Sequence, residues 1–277
     1  MIDAKPPLPT GPWILVSNDD GIDSPALPSL LEALRGFDVV RCVVPAREYS
    51  WSAKTMSRFD SLEMVETNRD PCPIYRLDGS PADCVNAGIH NLYPHHPPEL
   101  VISGVNIGAN AGLAFLLSSG TVGAALEGML SGVPSMAVSQ EMSGEDYARW
   151  RDHRDVDHLQ ASWQEAGVVA AEVADEILRG GLPAGADLLS INLPPGATRH
   201  STRVLATVAN TRYGPFFERV ADGRLQHVYS PLQRLDGDDG VTDLDALARG
   251  HIALTPLRFG LNSPHLKADR ARFERSR

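Results

Sequence analysis

Short apolar runs alternate with helical stretches along the first two hundred residues, and that alternation restricts the chain to an α/β fold. The runs 13–16, 39–44, 100–102, 134–138 and 188–192 are rich in Val, Ile and Leu and show little polar alternation. Strands buried on both faces of a parallel sheet read this way. Between them, Leu27, Leu30, Leu31 and Leu34 share one face of a predicted helix over 26–34, and a longer amphipathic helix is predicted near 160–179. Ser24-Pro25 reads as an N-cap followed by Pro at the first helical position, and Ser80-Pro81-Ala82-Asp83 as a capping box opening a helix through Val85 and Ile89. A further helix runs from about Thr121 through Leu126 and Met129 to a stop at Gly132. The expectation is a doubly wound, mostly parallel, Rossmann-like sheet over roughly residues 10–200.

Past residue 200 the pattern becomes β-rich, at 203–208 and 225–229, and an acidic turn follows at 236–240. Three units are therefore expected: an α/β core over 1–208, a β-hairpin arm over 209–242, and a segment 243–277 whose helix (243–248) and strand (252–257) return to the core. The final residues, 268–277, read as a mobile basic tail. With 277 residues, 43% of them hydrophobic, a sizeable core is affordable. Its 25 Lys and Arg against 35 Asp and Glu repel a polyanion, which disfavours a nucleic-acid polymer as a stable partner. No apolar run approaches the roughly 20 residues of a membrane helix, and 1–12 lacks signal-peptide character, so the expected location is the cytoplasm. Cys42 and Cys84 lie in apolar segments and read as small buried hydrophobes.

In open parallel sheets ligands bind beyond the carboxyl ends of the strands. Three loops there carry chemistry: Asn18-Asp19-Asp20-Gly21, the loop bearing Ser50 and Ser52, and Ser103-Gly104-Val105-Asn106. Together they offer oxygen donors only, which suit Mg²⁺ or Mn²⁺ rather than zinc. Asp-rich turns also arise for local hydrogen-bonding reasons, and NDDG alone is compatible with a hairpin. A hairpin fits poorly, because helical periodicity follows the motif and adjacent carboxylates repel unless a cation lies between them. Ser119-Gly120-Thr121 at a helix start is either a phosphate cradle or plain capping. Thr121 is placed by this reading at a helix start, apart from the acidic cluster. Neither GxxxxGK[ST] nor GxGxxG occurs. His90, His95 and His96 cluster in sequence, but the neighbouring prolines put the last two in an irregular loop away from the strand ends.

With these segments in hand, the chain resembles the SurE (survival protein E) family of metal-dependent 5′/3′-nucleotidases. ILVSNDDGIDSPAL matches the family's opening motif, VVPAREYSWSA its second loop, DGSPADCVNAGI its helix cap, and LVISGVNIGANAG with SSGTVGAALEG its active-site segments. LLSINLPP and TDLDALARGHIALTPL extend the likeness over most of 13–257. The resemblance implies Asp19, Asp20, Ser50 and Asn106 as ligands of one divalent metal ion per subunit, Mg²⁺ or Mn²⁺. It implies Asn110, Ser119, Gly120 and Thr121 as phosphate-binding residues, and Asp19 or Asp20 as the group that orients or deprotonates an attacking water. The implied reaction is hydrolysis of nucleoside 5′-monophosphates, with 3′-monophosphates as a further class, and the implied assembly is a homodimer or homotetramer with exchanged C-terminal arms. Three departures stand out: Trp51 where Gly is frequent, His251 where an aromatic is usual, and Arg212-Tyr213-Gly214 with the following residues, which fits the family only loosely. The arm's Tyr213, Phe216, Phe217, Val220, Val228 and Tyr229 need a covering surface, from a second subunit or from the chain's own core. Two rivals to a nucleotidase are a metal- and nucleotide-binding regulatory module without turnover, and a glycosyltransferase-like sheet.

Overall fold

Strand β1 (Trp13–Ser17) shows how the layers arise in the computed structural model, which describes residues 8, 9, 11–68, 70–228 and 231–261. Successive side chains of a strand point to opposite faces. Ile14 and Val16 therefore join one core, and Trp13 and Leu15 the other. In chain order there follow α1 (Leu27–Ala33), β2 (Val39–Pro45), β3 (Met64–Asn68), β4 (Ile74–Leu77), α2 (Pro81–Ala87), β5 (Leu100–Ile107), α3 (Leu113–Ser118), α4 (Gly120–Leu130), β6 (Ser135–Gln140), α5 (Gly144–His153), α6 (Gln160–Gly180) and β7 (Leu188–Leu193). Then come β8 (Arg203–Leu205), β9 (Thr211–Arg212), β10 (Phe217–Arg219), β11 (Leu225–His227), β12 (Gln233–Arg234), α7 (Asp243–Ala248) and β13 (Ile252–Leu257).

Nine strands form the main sheet in the order β3-β4-β2-β1-β5-β6-β7-β13-β8. From β4 to β7 every pair is parallel, while β3 and β13 run antiparallel to their neighbours β4 and β7. Helices α1 and α6 pack together on one face, over Ile14, Val16, Val44 and Ile102 with Leu30 and Trp163. Helices α2 and α4 cover the other, over Leu15, Val43 and Val101 with Val85 and Ala124. Each buried Val, Leu or Ile among them contributes about 1.5–3 kcal/mol by leaving water. The fold is thus α/β and doubly wound, as expected. Because β1 sits between β2 and β5, the chain first builds outward on one side and then on the other, and the β1–β5 boundary is the switch point where open sheets hold ligands.

Several local expectations shift. Helix α1 starts at Leu27 behind Ala26, with no side-chain cap; Ser24 and Pro25 lie in the preceding turn, and the Ser24 hydroxyl is buried without a partner. The loop expected at 103–106 is strand, since β5 continues to Ile107. Gly104 is required there. Its φ is +141°, and a Cβ would stand 2.3 Å from the Val138 carbonyl oxygen on the adjacent strand, where the β5–β6 register shifts. The Ser80–Asp83 capping box forms as read, and Asp83 also accepts from the Ser57 N–H and hydroxyl. Cys42, Cys72 and Cys84 are all free and buried, and burial pushes their thiols up, Cys72 to about 11.

Beyond β8, β9 pairs with β12 and β10 with β11, so the described residues of this region form a two-step antiparallel ribbon. Its base is tied down: Arg234 ion-pairs with Asp238 and Asp245, and Asp245 completes a capping box with Thr242 at α7. The tip is open, with Phe217 and Leu225 each 60% exposed. The expected basic tail, 268–277, and Tyr229 lie outside the described residues.

Candidate active site

The first loop beyond β1 is locked by its own asparagine. Asn18 Nδ2 donates to the Gly21 carbonyl at 3.0 Å and its Oδ1 accepts from the Gly21 N–H at 3.1 Å. Gly21 turns at φ +86°, and a Cβ there would lie 2.9 Å from the Arg47 backbone, so only glycine lets the first and second loops touch. The Tyr49 N–H donates to the Asp19 carbonyl at 2.7 Å, joining those loops again. Asp19 is 3% exposed, and the Thr121 hydroxyl donates to its Oδ1 at 2.6 Å. The Thr121 backbone N–H serves the same carboxylate, so Asp19 sits on the positive end of α4. Asp20 is half-buried and accepts from the Ile107 N–H at 3.3 Å.

Both carboxyls are held above their usual range. Burial raises Asp19 to about 6, against the lowering effect of Thr121. For Asp20 burial again leads, followed by the charge of Asp19, with Glu48 adding to both. Glu48 was not singled out from the sequence; it ion-pairs with Arg154 at 3.6 Å and accepts from the Ser50 hydroxyl at 2.7 Å. A cation beside the pair relieves this repulsion. The surrounding donors fit one. The Ser52 hydroxyl is buried without a partner, and a Cβ on Gly120 would stand 3.0 Å from it and 2.8 Å from Asp19 Oδ2, so Gly120 keeps that space open. Asn106 is buried and donates through Nδ2 to the Gly108 carbonyl at 2.6 Å, which assigns its Oδ1 to any ligand role. Among the described residues no three His, Cys, Asp or Glu side chains are placed to share an ion. Two carboxylates with neutral oxygens are a hard-cation set.

The helix start resolves into separate parts. Ser119 is the N-cap, its hydroxyl accepting from the Val122 N–H at 3.1 Å. Asn110 receives its backbone order from Asn192 Oδ1 at 2.8 Å, and its Nδ2 donates to Ser139 Oγ at 2.9 Å and Thr121 Oγ1 at 3.3 Å. A continuous chain, Ser139–Asn110–Thr121–Asp19, thereby links the helix start to the acidic pair. The separation of Thr121 from the acidic cluster, expected from the sequence, is corrected by this contact. Ser50, in contrast, is exposed and its hydroxyl is engaged by Glu48.

The second loop is pinned to α3 and α4. The Ala53 N–H donates to the Ser118 carbonyl at 2.9 Å, and Lys54 pairs with Glu127 at 2.7 Å, which also accepts from Asn86 at 2.7 Å. A Cβ on Gly123 would lie 2.3 Å from the Ala53 carbonyl oxygen, so the loop lies directly on α4. No local pattern announces these contacts.

Comparison with known proteins agrees with this architecture. A family model described as "Survival protein SurE" matches residues 14–215. A "5′-nucleotidase SurE" of Methanocella arvoryzae is 32% identical over 253 residues, covering 90% of this chain and 93% of that one. Another, from Pelobacter propionicus, is 35% identical over 258 residues, covering 90% and 94%. Among solved structures, the SurE protein from Aquifex aeolicus superposes with a TM-score of 0.75 at 26% identity, covering 94% of this chain and 99% of that one. The matched span contains the acidic turn, the bulged β5 and the start of α4, and on these grounds the chain belongs to the SurE family.

Proposed function

We propose that this chain is a phosphomonoester hydrolase that releases phosphate from nucleoside monophosphates, 5′ and also 3′, with one Mg²⁺ or Mn²⁺ per subunit. The observation that carries the reading is the hydrogen bond from Thr121 to Asp19, which couples a helix N-terminus suited to phosphate with a buried acidic pair at the switch point. Relatives named 5′-nucleotidase, matched along about nine-tenths of their length and of this chain, supply the substrate class.

In this mechanism the Gly120 N–H at the positive end of α4 receives the phosphoryl oxygens, Ser119 holds the first turn of α4 in place, and Asn110 and Thr121, phosphate-binding by family resemblance, exchange their side-chain hydrogen bonds to Ser139 and Asp19 for the phosphate. Asp19, Asp20, Asn106 and a second-loop hydroxyl hold the cation: Ser50 by family resemblance, with Ser52 as a buried, unpartnered hydroxyl that borders Gly120 together with Asp19. When bound, a divalent cation there neutralises phosphoryl charge and acidifies water. Asp19 is engaged by the Thr121 hydroxyl and backbone N–H, whereas the half-buried Asp20 accepts through Oδ2 from the Ile107 N–H, so Asp20, with its other oxygen, is the group that accepts the proton of the attacking water. The test is phosphate release from a panel of nucleoside 5′- and 3′-monophosphates. Release from the 5′ series is expected. Nucleotide binding without release would favour a regulatory module.

The division into a 1–208 core, a 209–242 arm and a C-terminal return segment belongs to the same proposal, with the arm joining subunits into a homodimer or homotetramer. Supporting it, the ribbon base lies on its own core while Phe217 and Leu225 at the tip stand in solvent. Replacing 217–227 with a Gly-Ser link is expected to give smaller species in light scattering. A wild-type monomer at micromolar concentration would refute the swap. A cytoplasmic location completes the proposal; among the described residues no helix is long and apolar enough to cross a membrane.

A further inference from the structure

Four aromatic rings meet beside the acidic site, and they come from three separate segments. Trp51 of the second loop lies 5.5 Å from Phe115 of α3, 5.7 Å from Tyr213 and 5.3 Å from Phe216 of the arm base, centroid to centroid. The Phe115 and Phe216 contacts are edge-on, at 89° and 81°. His227 stacks on Phe216 from behind, and the Tyr213 hydroxyl is held by Ser118 Oγ at 2.6 Å and by the Ala114 carbonyl. Despite this fixation, Trp51 remains 51% exposed. A rigid indole with half its surface in water is a platform without its layer.

Position decides what the layer is. Trp51 stands between Ser50 and Ser52, and the Ser52 hydroxyl is buried next to Gly120 and Asp19. Ser118, which anchors both the Ala53 N–H and Tyr213, directly precedes the cap of α4. The loop that carries the indole thus borders the helix start at which a phosphoester would sit. The loop also adopts φ +62° at Trp51, a left-handed conformation that favours glycine, so this bulky side chain occupies a costly position.

We infer that Trp51, buttressed by Phe115, Tyr213 and Phe216, is the surface on which the base of a nucleoside monophosphate stacks. The inference rests on the nucleotidase reading and adds a specificity-determining residue to it. Stacking of a base on one aromatic ring is sequence-tolerant, so all bases are accepted, purines more strongly for their larger π-face.

The test compares AMP with ribose 5-phosphate, which has the same phosphoester and sugar but no base. For Trp51→Ala the ratio of kcat/KM for AMP to that for ribose 5-phosphate is expected to fall about tenfold, mainly through KM, and Trp51→Phe is expected to restore most of it. An equal loss on both substrates would make Trp51 a structural prop of the loop and overturn the inference. So would an unchanged ratio accompanied by a change of oligomeric state, which would assign the indole to a second copy's arm. If wild-type protein hydrolyses neither compound, the nucleotidase reading fails. Calorimetric titration with AMP and with ribose 5-phosphate then decides the stacking on its own, a base-dependent affinity in wild type that Trp51→Ala retains being the result that sinks it.

Discussion

Asp19→Asn and Asp20→Asn are each expected to lower kcat by at least about 100-fold, the scale on which loss of a catalytic ion or its orientation is felt. The substitution is sterically mild. An asparagine at 19 still offers an oxygen to the Thr121 hydroxyl, and one at 20 still accepts from Ile107, so the turn built by Asn18 and Gly21 persists. What disappears is charge. Stability should move the other way. Burial raises both carboxyls, so the metal-free fold is favoured while they are protonated and loses that advantage as pH rises from the ordinary value of 3.8 through about 6 for Asp19. At neutral pH, with chelator present, each Asn variant is therefore expected to melt no lower than wild type. Near-wild-type turnover in both variants at saturating metal would remove the pair from the mechanism. A large drop in melting temperature would instead show that the carboxylates are structural.

The parts legible in the sequence are those whose cause is local. Strands of the parallel sheet are buried on both faces and so read as apolar runs, and the Ser80–Asp83 box announces α2 because both partners lie within one turn. The Ser24 signal misled by two residues, since Ser-Pro also suits the turn that precedes α1. Helices α3 and α5 escaped notice for opposite reasons. LAFLLS is too short to show a period, and GEDYARWRDH is polar nearly all round. Edge strand β3 has little burial to impose a pattern.

The site divides in the same way. Asp19, Asp20, Asn106 and the α4 start stand out as candidates in the sequence because each lies at a strand end or opens a helix. Their coupling does not, because Asp19 and Thr121 are 102 residues apart and meet only through the β1–β5 topology. Glu48 and the Lys54–Glu127 pair were hidden likewise, and the ring cluster around Trp51 draws on segments that no sequence window contains together.

Removal of metal by a chelator is expected to abolish phosphate release, and Mg²⁺ or Mn²⁺ to restore it. The expectation rests on the donor set: two carboxylates that repel each other in a buried turn, the Asn106 carboxamide and a serine hydroxyl, with no thiolate or imidazole among them. Oxygen donors of this kind prefer hard cations, and Mg²⁺ in particular takes one or two carboxylates together with substrate phosphate. Binding must also show apart from turnover. An ion that binds only the folded chain stabilises it by mass action, about 2.7 kcal/mol at one hundred times its dissociation constant. Mg²⁺ or Mn²⁺ added to chelator-treated wild type should therefore raise the melting temperature, while the Asp19→Asn, Asp20→Asn double variant should not respond. Restoration by zinc alone would contradict an all-oxygen site, and full activity in chelator would leave Asp20 and the α4 start to perform the hydrolysis without a cation.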